Sequence, residues 1–415
     1  MQEIPDPRSS RKKKHDCAEI LTCLVMAYMT GRTALRRAVS WITANEAQLK
    51  KYMKLKGGPA SVSTISRLLS GIDEEIFTLT FSDWAFQLLN SNGRHLIIDG
   101  KGLRGAASKV RLENVPYMLN VIDAATQMVV AQMPIEEKKC EISEIPRLID
   151  RIDVKDNTVT IDAIGTQTAI MEKLHQLGAV FLLQVKKNQP QMYEDIVSFF
   201  EKLDDEKTKI KEDSRYETPL KEYLNATDRS KVEEKNRERY EQREYISCRD
   251  SSCLTKLQEM PYIQMVGVSR QLRRLIVRDR DGEDITPDVK TFLAEGSIRQ
   301  RKPENGDGIT DSMQTVGLVS NKKLTAEEAG AYKRAHWKIE NGLHHVLDDV
   351  FREDRSPAKG SKNNLALVRK FAYNIIRYTL AKLPGNTGVI GMMDYFNDNP
   401  RSLEAYIFKP LESLS

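Results

Sequence analysis

Two apolar runs that each end in an aspartate constrain this chain more than any other feature: HLIID, residues 95–99, and TVTID, residues 158–162. A short apolar run bounded by turn residues reads as a buried strand. In an open α/β sheet, ligands collect at the carboxyl ends of the strands. If these two strands are neighbours, Asp99 and Asp162 face each other, and each raises the other's pKa unless a cation lies between them. A divalent metal removes the conflict. Two metals need a third carboxylate to complete their oxygen shells.

The surroundings fit a sheet. VPYMLNVID (115–123) and MVVAQMP (128–134) read as two strands joined by a turn at Ala124–Gln127. EISEIPRLIDRI follows as a helix weakened by Pro146, TQTAIMEKLHQLG as an amphipathic helix stopped by Gly178, and AVFLLQVK as a buried strand. The order describes a mixed α/β sheet with helices on its faces. Residues 200–238 are charge-dense with mixed sign and read as a solvated helix or loop. Strands return in RYEQREYISC, PYIQMVGVSR, LRRLIVRDR and MQTVGLVS, a β-rich insertion spanning 239–320. Long helices resume near Thr325 and run to about Ala381.

Ahead of the sheet the chain is helical and basic. Residues 1–80 hold 13 Lys and Arg against 8 Asp and Glu, densest in RSSRKKKHD, 8–16. Ile20, Leu21, Leu24, Val25 and Tyr28 recur at helical spacing, and Gly31 stops that helix. A second helix runs near Ala34–Thr43. A third, ASVSTISRLLSGI, is capped by Ser61 or Ser63 and carries Arg67 outward with Ile65, Leu68 and Leu69 inward. Three short helices of this kind suit either a helix-turn-helix DNA reader or a small bundle that only packs on its neighbour.

A length of 415 residues allows two or three domains. Five cysteines without a CxxC pair argue against a disulfide scaffold and a four-thiolate zinc site, and point to a reducing, cytoplasmic setting. The apolar run CAEILTCLVMAYM is too short to span a bilayer. There is no GxSxG, no GxGxxG and no GxxxxGK[ST], which disfavours a serine hydrolase and a nucleotide cradle.

The candidate third acid is Glu340, in AYKRAHWKIENGLHHVLDDVFRED. Drawn as one α-helix, this segment carries a stripe of Ile339, Leu343, Val346 and Val350 with Leu347 beside it. Glu340 stands at the stripe's edge. An ordinary boundary glutamate would look the same. Glu340, His344 and Asp348 also follow i, i+4, i+8 spacing, which a zinc ion accepts; His345 and Asp349 repeat the step. His15, His95 and His175 read as structural. Basic residues crowd both acid-bearing segments: Lys101 and Arg104 after Asp99, and Arg352, Arg355, Lys359 and Lys362 after the helix. Loop solubility or a contact with the scissile strand explains the first pair equally, whereas a track for a phosphate backbone is the favoured reading of the second group.

Four motifs in order, IIDGKGLRG, VTIDAIGTQ, LLQVKKNQP and RAHWKIENGLHHVLDDVFREDRS…NNLALVRKFAYNIIR, resemble the DDE transposases of bacterial insertion sequences, specifically the H-repeat-associated branch. DPRSSRKKKHDCAEIL and PASVSTISRLLSGID resemble the region preceding the catalytic core in that branch. The resemblance implies an α/β, RNase H-like mixed sheet with a β-rich insertion, preceded by a small helical N-terminal domain. It divides the chain into a DNA-binding part at 1–90, the first part of the core at 91–205, the insertion at 206–324, and the catalytic and C-terminal helices at 325–415. It makes Asp99, Asp162 and Glu340 the catalytic and metal-holding acids, 63 and 178 residues apart. It further implies two Mg²⁺ ions, replaceable by Mn²⁺, and DNA partners in the form of terminal inverted repeats and target DNA. The synaptic complex would hold a homodimer or larger assembly, with no membrane partner, in a nucleoid-associated cytoplasmic location. Arg11, Lys12, Lys13, Lys101, Arg104, His336 and Arg355 are the DNA-contact candidates. A transposase derivative that has lost catalysis and only binds DNA is the alternative. Hairpin-forming relatives carry an Arg four residues before the last acid and a Lys seven after it. Here those places hold His336 and Leu347, so the resemblance does not extend to a hairpin step.

Overall fold

The computed structural model describes the chain except residues 9–12, 90–92, 103–116, 236–237, 255–256, 258, 280, 282, 287–304, 307–308, 354–360, 384, 386, 410 and 412–415, and except the side chains at 305, 306, 309, 340 and 341. By internal packing it forms two units, Met1–Asn157 with His336–Ser415, and Thr158–Ala335.

The first unit opens with helices α1 (Cys17–Met29), α2 (Leu35–Ala44), α3 (Glu46–Leu49), α4 (Val62–Gly71) and α5 (Glu74–Gln87). The Asp16 side chain caps α1 by accepting from Glu19 N, Ser61 caps α4 through Thr64 N, and Asp73 caps α5 through Ile76 N. Gly31, at φ +79°, takes the left-handed conformation just past the end of α1. Strands β1 (His95–Gly102), β2 (Tyr117–Asp123) and β3 (Val129–Ile135) form an antiparallel meander, with helix α6 (Glu141–Ile149) following.

Strands β4 (Thr158–Ile161) and β5 (Val180–Val185), with α7 (Thr168–Gln176) between them, open the second unit and pair in parallel. Helices α8 (Pro190–Glu212) and α9 (Lys221–Asn225) follow, then strands β6 (Thr227–Lys235), β7 (Arg239–Cys248), β8 (Met265–Leu275), β9 (Asn305–Gly306) and β10 (Ile309–Ser320). Among the described residues the order is β4-β5-β10-β8-β7-β6, with β9 on β10. All pairs after β4–β5 are antiparallel. Two sequence expectations need correcting here. PYIQMVGVSR and LRRLIVRDR contribute to one strand, β8, rather than two. Part of the charge-dense stretch at 200–238, read as helix or loop, is strand β6, TDRSKVEEK, half-buried over its first four residues and alternating half-buried and exposed from Ser230 onward. Its lysines and glutamates are what an edge strand uses to discourage pairing with another chain.

Helix α10 (Ala326–Ile339) runs from the second unit into the first, where two π-helical segments follow, Glu340–His344 and Val346–Val350. Helices α11 (Lys362–Lys382), α12 (Val389–Asp398) and α13 (Pro400–Phe408) complete the first unit. The helices α1, α4 and α5 pack on α11, sharing one core that includes Leu24, Tyr28, Leu68, Phe77, Phe81, Phe371 and Ile375. The π-helical turns change the expected stripe. The buried residues are Ile339, Leu343, Leu347 and Phe351, each four from the last, while Val346 and Val350 are half-buried. Widened i→i+5 turns rotate the register so that residues four apart align, where a uniform α-helix would drift.

Candidate active site

Asp99 does not end its strand. The apolar part of β1 stops there, but ladder pairing continues through Asp99↔Asn120, Gly100↔Leu119, Lys101↔Met118 and Gly102↔Tyr117. Glycine at 100 has a local cause. A Cβ there would collide with Glu141 Oε1 and the Tyr117 ring, while Tyr117 OH donates to Gly100 O at 3.1 Å. Gly100→Ala is expected to destabilise the first unit by about 1–3 kcal/mol through overpacking, read as a lower denaturant midpoint at unchanged slope.

One face of the meander carries a buried polar layer. Asp99 and Lys101 share that face by strand alternation, and cross-strand pairing adds Asn120 and Gln132. The Lys370 ammonium from α11 donates to Asn120 Oδ1 at 2.5 Å and to Gln132 Oε1. Lys101 Nζ sits 2.6 Å from Asp348 Oδ1 and donates to Glu353 Oε2 at 2.7 Å. Burial alone would raise the Glu353 carboxyl, but Lys101, Lys370 and Arg369 together bring it below the usual range. Burial depresses Lys370 to about 7, against the pull of Glu353, and Lys101 adds to the depression.

The π-helical segment reaches Asp99. His344 Nε2 lies 3.6 Å from Asp99 Oδ2, too far for a hydrogen bond, and this buried ring nitrogen has no hydrogen-bond partner. Burial, Lys101 and Lys370 push His344 down to about 4, so its ring is neutral at pH 7. Gly342 O accepts from Tyr373 OH at 3.1 Å and from Arg377 Nη2 at 2.9 Å. A Cβ on Gly342 would meet Gln127 Oε1 at 2.7 Å. The glycine after IEN therefore fits a crowded turn whose carbonyl α11 holds.

Asp162 belongs to the second unit. It follows β4 directly and caps a single 3₁₀ turn, Ala163–Gly165, by accepting from Ala163 N; its side chain is 51% exposed. Parallel pairing of β4 with β5 sets the segment after β5 beside it. Lys186 Nζ lies 3.2 Å from Asp162 Oδ1, Asn188 Nδ2 donates to Ala163 O at 2.9 Å, and Gln189 Nε2 donates to Thr166 O at 2.9 Å. The KKNQP motif thus braces the loop that presents Asp162. Reading the motifs separately missed these braces, although two strands in parallel predict that their exit loops adjoin.

The first unit brings Asp99 beside the segment that begins at Glu340, while Asp162 stands at a strand tip of the second unit. The Glu340 side chain, Arg11, Lys12, Arg104 and Arg355 lie outside the described residues. Lys13 pairs with Asp6 at 3.3 Å. His336 lies near His95, whose imidazole is held down at about 3 by burial and then by His336. Lys101 is 7% exposed and occupied by two carboxylates. Asp348, the third member of the Glu340, His344, Asp348 zinc pattern, is engaged by Lys101 through Oδ1. Among the described residues no three His, Cys, Asp or Glu side chains gather as a metal cluster.

A family model described as "Transposase DDE domain" matches residues 90–375, more than half of the chain. The chain belongs to the DDE transposase family. A second model, "DDE_Tnp_1-associated", matches residues 1–85 of this DDE transposase. Its relatives include "Putative transposase YncI" of Escherichia coli O157:H7, 27% identical over 387 residues, covering 90% of this chain and 85% of the relative. "H repeat-associated putative transposase YhhI" of Escherichia coli K12 is 28% identical over 380 residues, covering 90% and 88%. The resemblance to the H-repeat-associated branch is therefore upheld. A cryo-EM structure of a piggyBac transposase synaptic complex with hairpin DNA matches with a TM-score of 0.42 and 11% identity, over 96% of this chain and 73% of that one.

Proposed function

We propose that this DDE transposase cuts and rejoins DNA at the ends of a mobile element, using Asp99, Asp162 and Glu340 to hold two divalent ions. The observation that carries the reading is the 3.6 Å approach of His344, on the segment that begins at Glu340, to Asp99 on β1. A strand-borne acid beside the helical segment of a distant acid is what an RNase H-like core needs. The β1-β2-β3 meander and the parallel β4–β5 pair are compatible with that core. On this reading residues 1–90 contact DNA, 91–205 and 325–415 make the core, and 206–324 are the insertion.

The donor chemistry fits a hard cation. Three carboxylates supply oxygen ligands suited to Mg²⁺ or Mn²⁺. The neighbour of Asp99, His344, is a neutral ring with an unpartnered nitrogen and adds no positive charge at pH 7. When bound, such ions lower the pKa of an attacking water or 3′-hydroxyl and offset charge on the leaving oxygen. The protein's part is placement. Asp99 is fixed by β1, Asp162 by its 3₁₀ cap and the KKNQP brace, and Glu340 by a π turn tied to Tyr373 and Arg377. Phosphoryl transfer rewards this kind of placement, because most of its catalysis is positioning and charge neutralisation.

Among the described residues no helix is long and apolar enough to cross a membrane, and DNA in the nucleoid-associated cytoplasm is the partner proposed. Joining two element ends calls for at least two protomers. The test is incubation of the purified chain with supercoiled plasmid and Mg²⁺ or Mn²⁺. Nicked and strand-transfer products, abolished by a chelator, are expected. DNA binding without metal-dependent products would instead identify a transposase derivative that has lost catalysis.

A further inference from the structure

Lys101 stands two residues after Asp99 on β1, in the basic cluster where a DNA contact is the natural expectation. Its environment gives it other work. The ammonium is 7% exposed and sits between Asp348 Oδ1 at 2.6 Å and Glu353 Oε2 at 2.7 Å. A DNA phosphate would have to displace a carboxylate from a nearly dry site. Asp348 lies on the π-helical segment that follows Glu340.

The strand and the segment approach each other twice in matching register, and the second approach is an ion pair. Asp99 meets His344, and Lys101 meets Asp348. Both contacts join β1 to the same π-helical segment, the second lying two strand residues and four segment residues beyond the first, so they run side by side. Resting on the transposase reading above, we infer that Lys101 is a positioning residue. It latches the strand that carries Asp99 to the helical segment that carries Glu340, and so sets the spacing of two acids that hold the metal ions.

The experiment compares full-length wild type with K101M, K101R and D348N. It measures three quantities: Mn²⁺ binding without DNA by electron paramagnetic resonance, supercoiled-plasmid nicking against Mn²⁺ concentration, and the salt dependence of plasmid affinity. For K101M, nicking at saturating DNA should fall about 10²-fold, Mn²⁺ affinity should weaken about 10-fold or more, and the salt slope should stay unchanged. K101R should recover most of both losses.

Removing Lys101 leaves two carboxylates facing each other, and K101M can fail to fold. D348N then decides, because its side chain is 29% exposed and it leaves the Lys101–Glu353 pair in place. It should weaken Mn²⁺ binding in the same direction, by less. A merely structural role would lower the melting temperature without moving the Mn²⁺ affinity of the folded protein, and overturns the inference. So does a salt slope shallower by about one with cleavage restored at high DNA, which makes Lys101 a phosphate contact. Should wild type fail to nick with either metal, the transposition reading falls and this inference goes with it. If wild type nicks, D99N does not, and both K101M and D348N match wild type, the inference alone fails.

Discussion

Asp99→Asn is expected to reduce metal-dependent plasmid cleavage by at least about 10³-fold while leaving the protein folded and bound to DNA. Asparagine has nearly the shape of aspartate, and β1 holds position 99 by backbone pairing to Asn120 on β2, so the strand survives the change. What is lost is one negative charge where two cations would be held. Several kcal/mol of transition-state charge stabilisation correspond to that loss in rate, at 1.36 kcal/mol per tenfold. No nearby carboxylate takes its place: Asp348 and Glu353 are both paired with Lys101. The readout is the rate of supercoiled-plasmid nicking with Mg²⁺, alongside DNA affinity and its salt slope. A D99N protein that nicks within tenfold of wild type removes Asp99 from the catalytic set.

Local signals carried much of this architecture. Apolar runs ending in Asp99 and Asp162 gave β1 and β4, a glycine ended α1, and a serine cap marked α4, whereas α5 and its Asp73 cap went unread. Each depends on residues within a few positions, so each can be read along the chain. The misreadings came from effects that act across the fold. Strand β6 was taken for helix or loop because charged residues occupy both of its faces, and only its pairing with β7 makes it a strand. The π-helical turns after Ile339 carry Gly342 O, held by Tyr373 and Arg377 from a helix some thirty residues away, and periodicity in the segment itself cannot reveal such a contact. Lys101 looked like a solvated cation beside an acid. Its burial depends on Asp348 and Glu353, about 250 residues further along the chain. Lys370 lay within a motif used only for resemblance, although a lysine among the apolar residues of LALVRKFAYNII was itself a signal of a buried polar contact.

Lys370 offers the sharpest test of that polar layer. It is 1% exposed, and burial lowers its ammonium from the ordinary 10.5 to about 7. Between those two pH values the unfolded chain keeps a proton on this lysine that the folded chain gives up. Stability rises with pH wherever the unfolded state binds more protons, so the Lys370 contribution grows from pH 7 towards pH 10 and is least favourable below pH 7. Lys370→Met removes the titration and leaves the oxygens of Asn120 and Gln132 buried without this donor, at roughly 1–3 kcal/mol for each. Near pH 7 the two effects oppose each other: the variant loses hydrogen bonds but also loses a group that resists being charged in the core. At pH 10 only the loss remains. The stability gap between wild type and Lys370→Met, measured by urea unfolding at pH 7, 8.5 and 10, is expected to widen by about 3 kcal/mol or more in favour of wild type. Glu353 decides the alternative. If its carboxylate holds Lys370 charged throughout, the gap stays flat across this range, and the layer is a fixed ion-pair network rather than one whose central amine is neutral at alkaline pH.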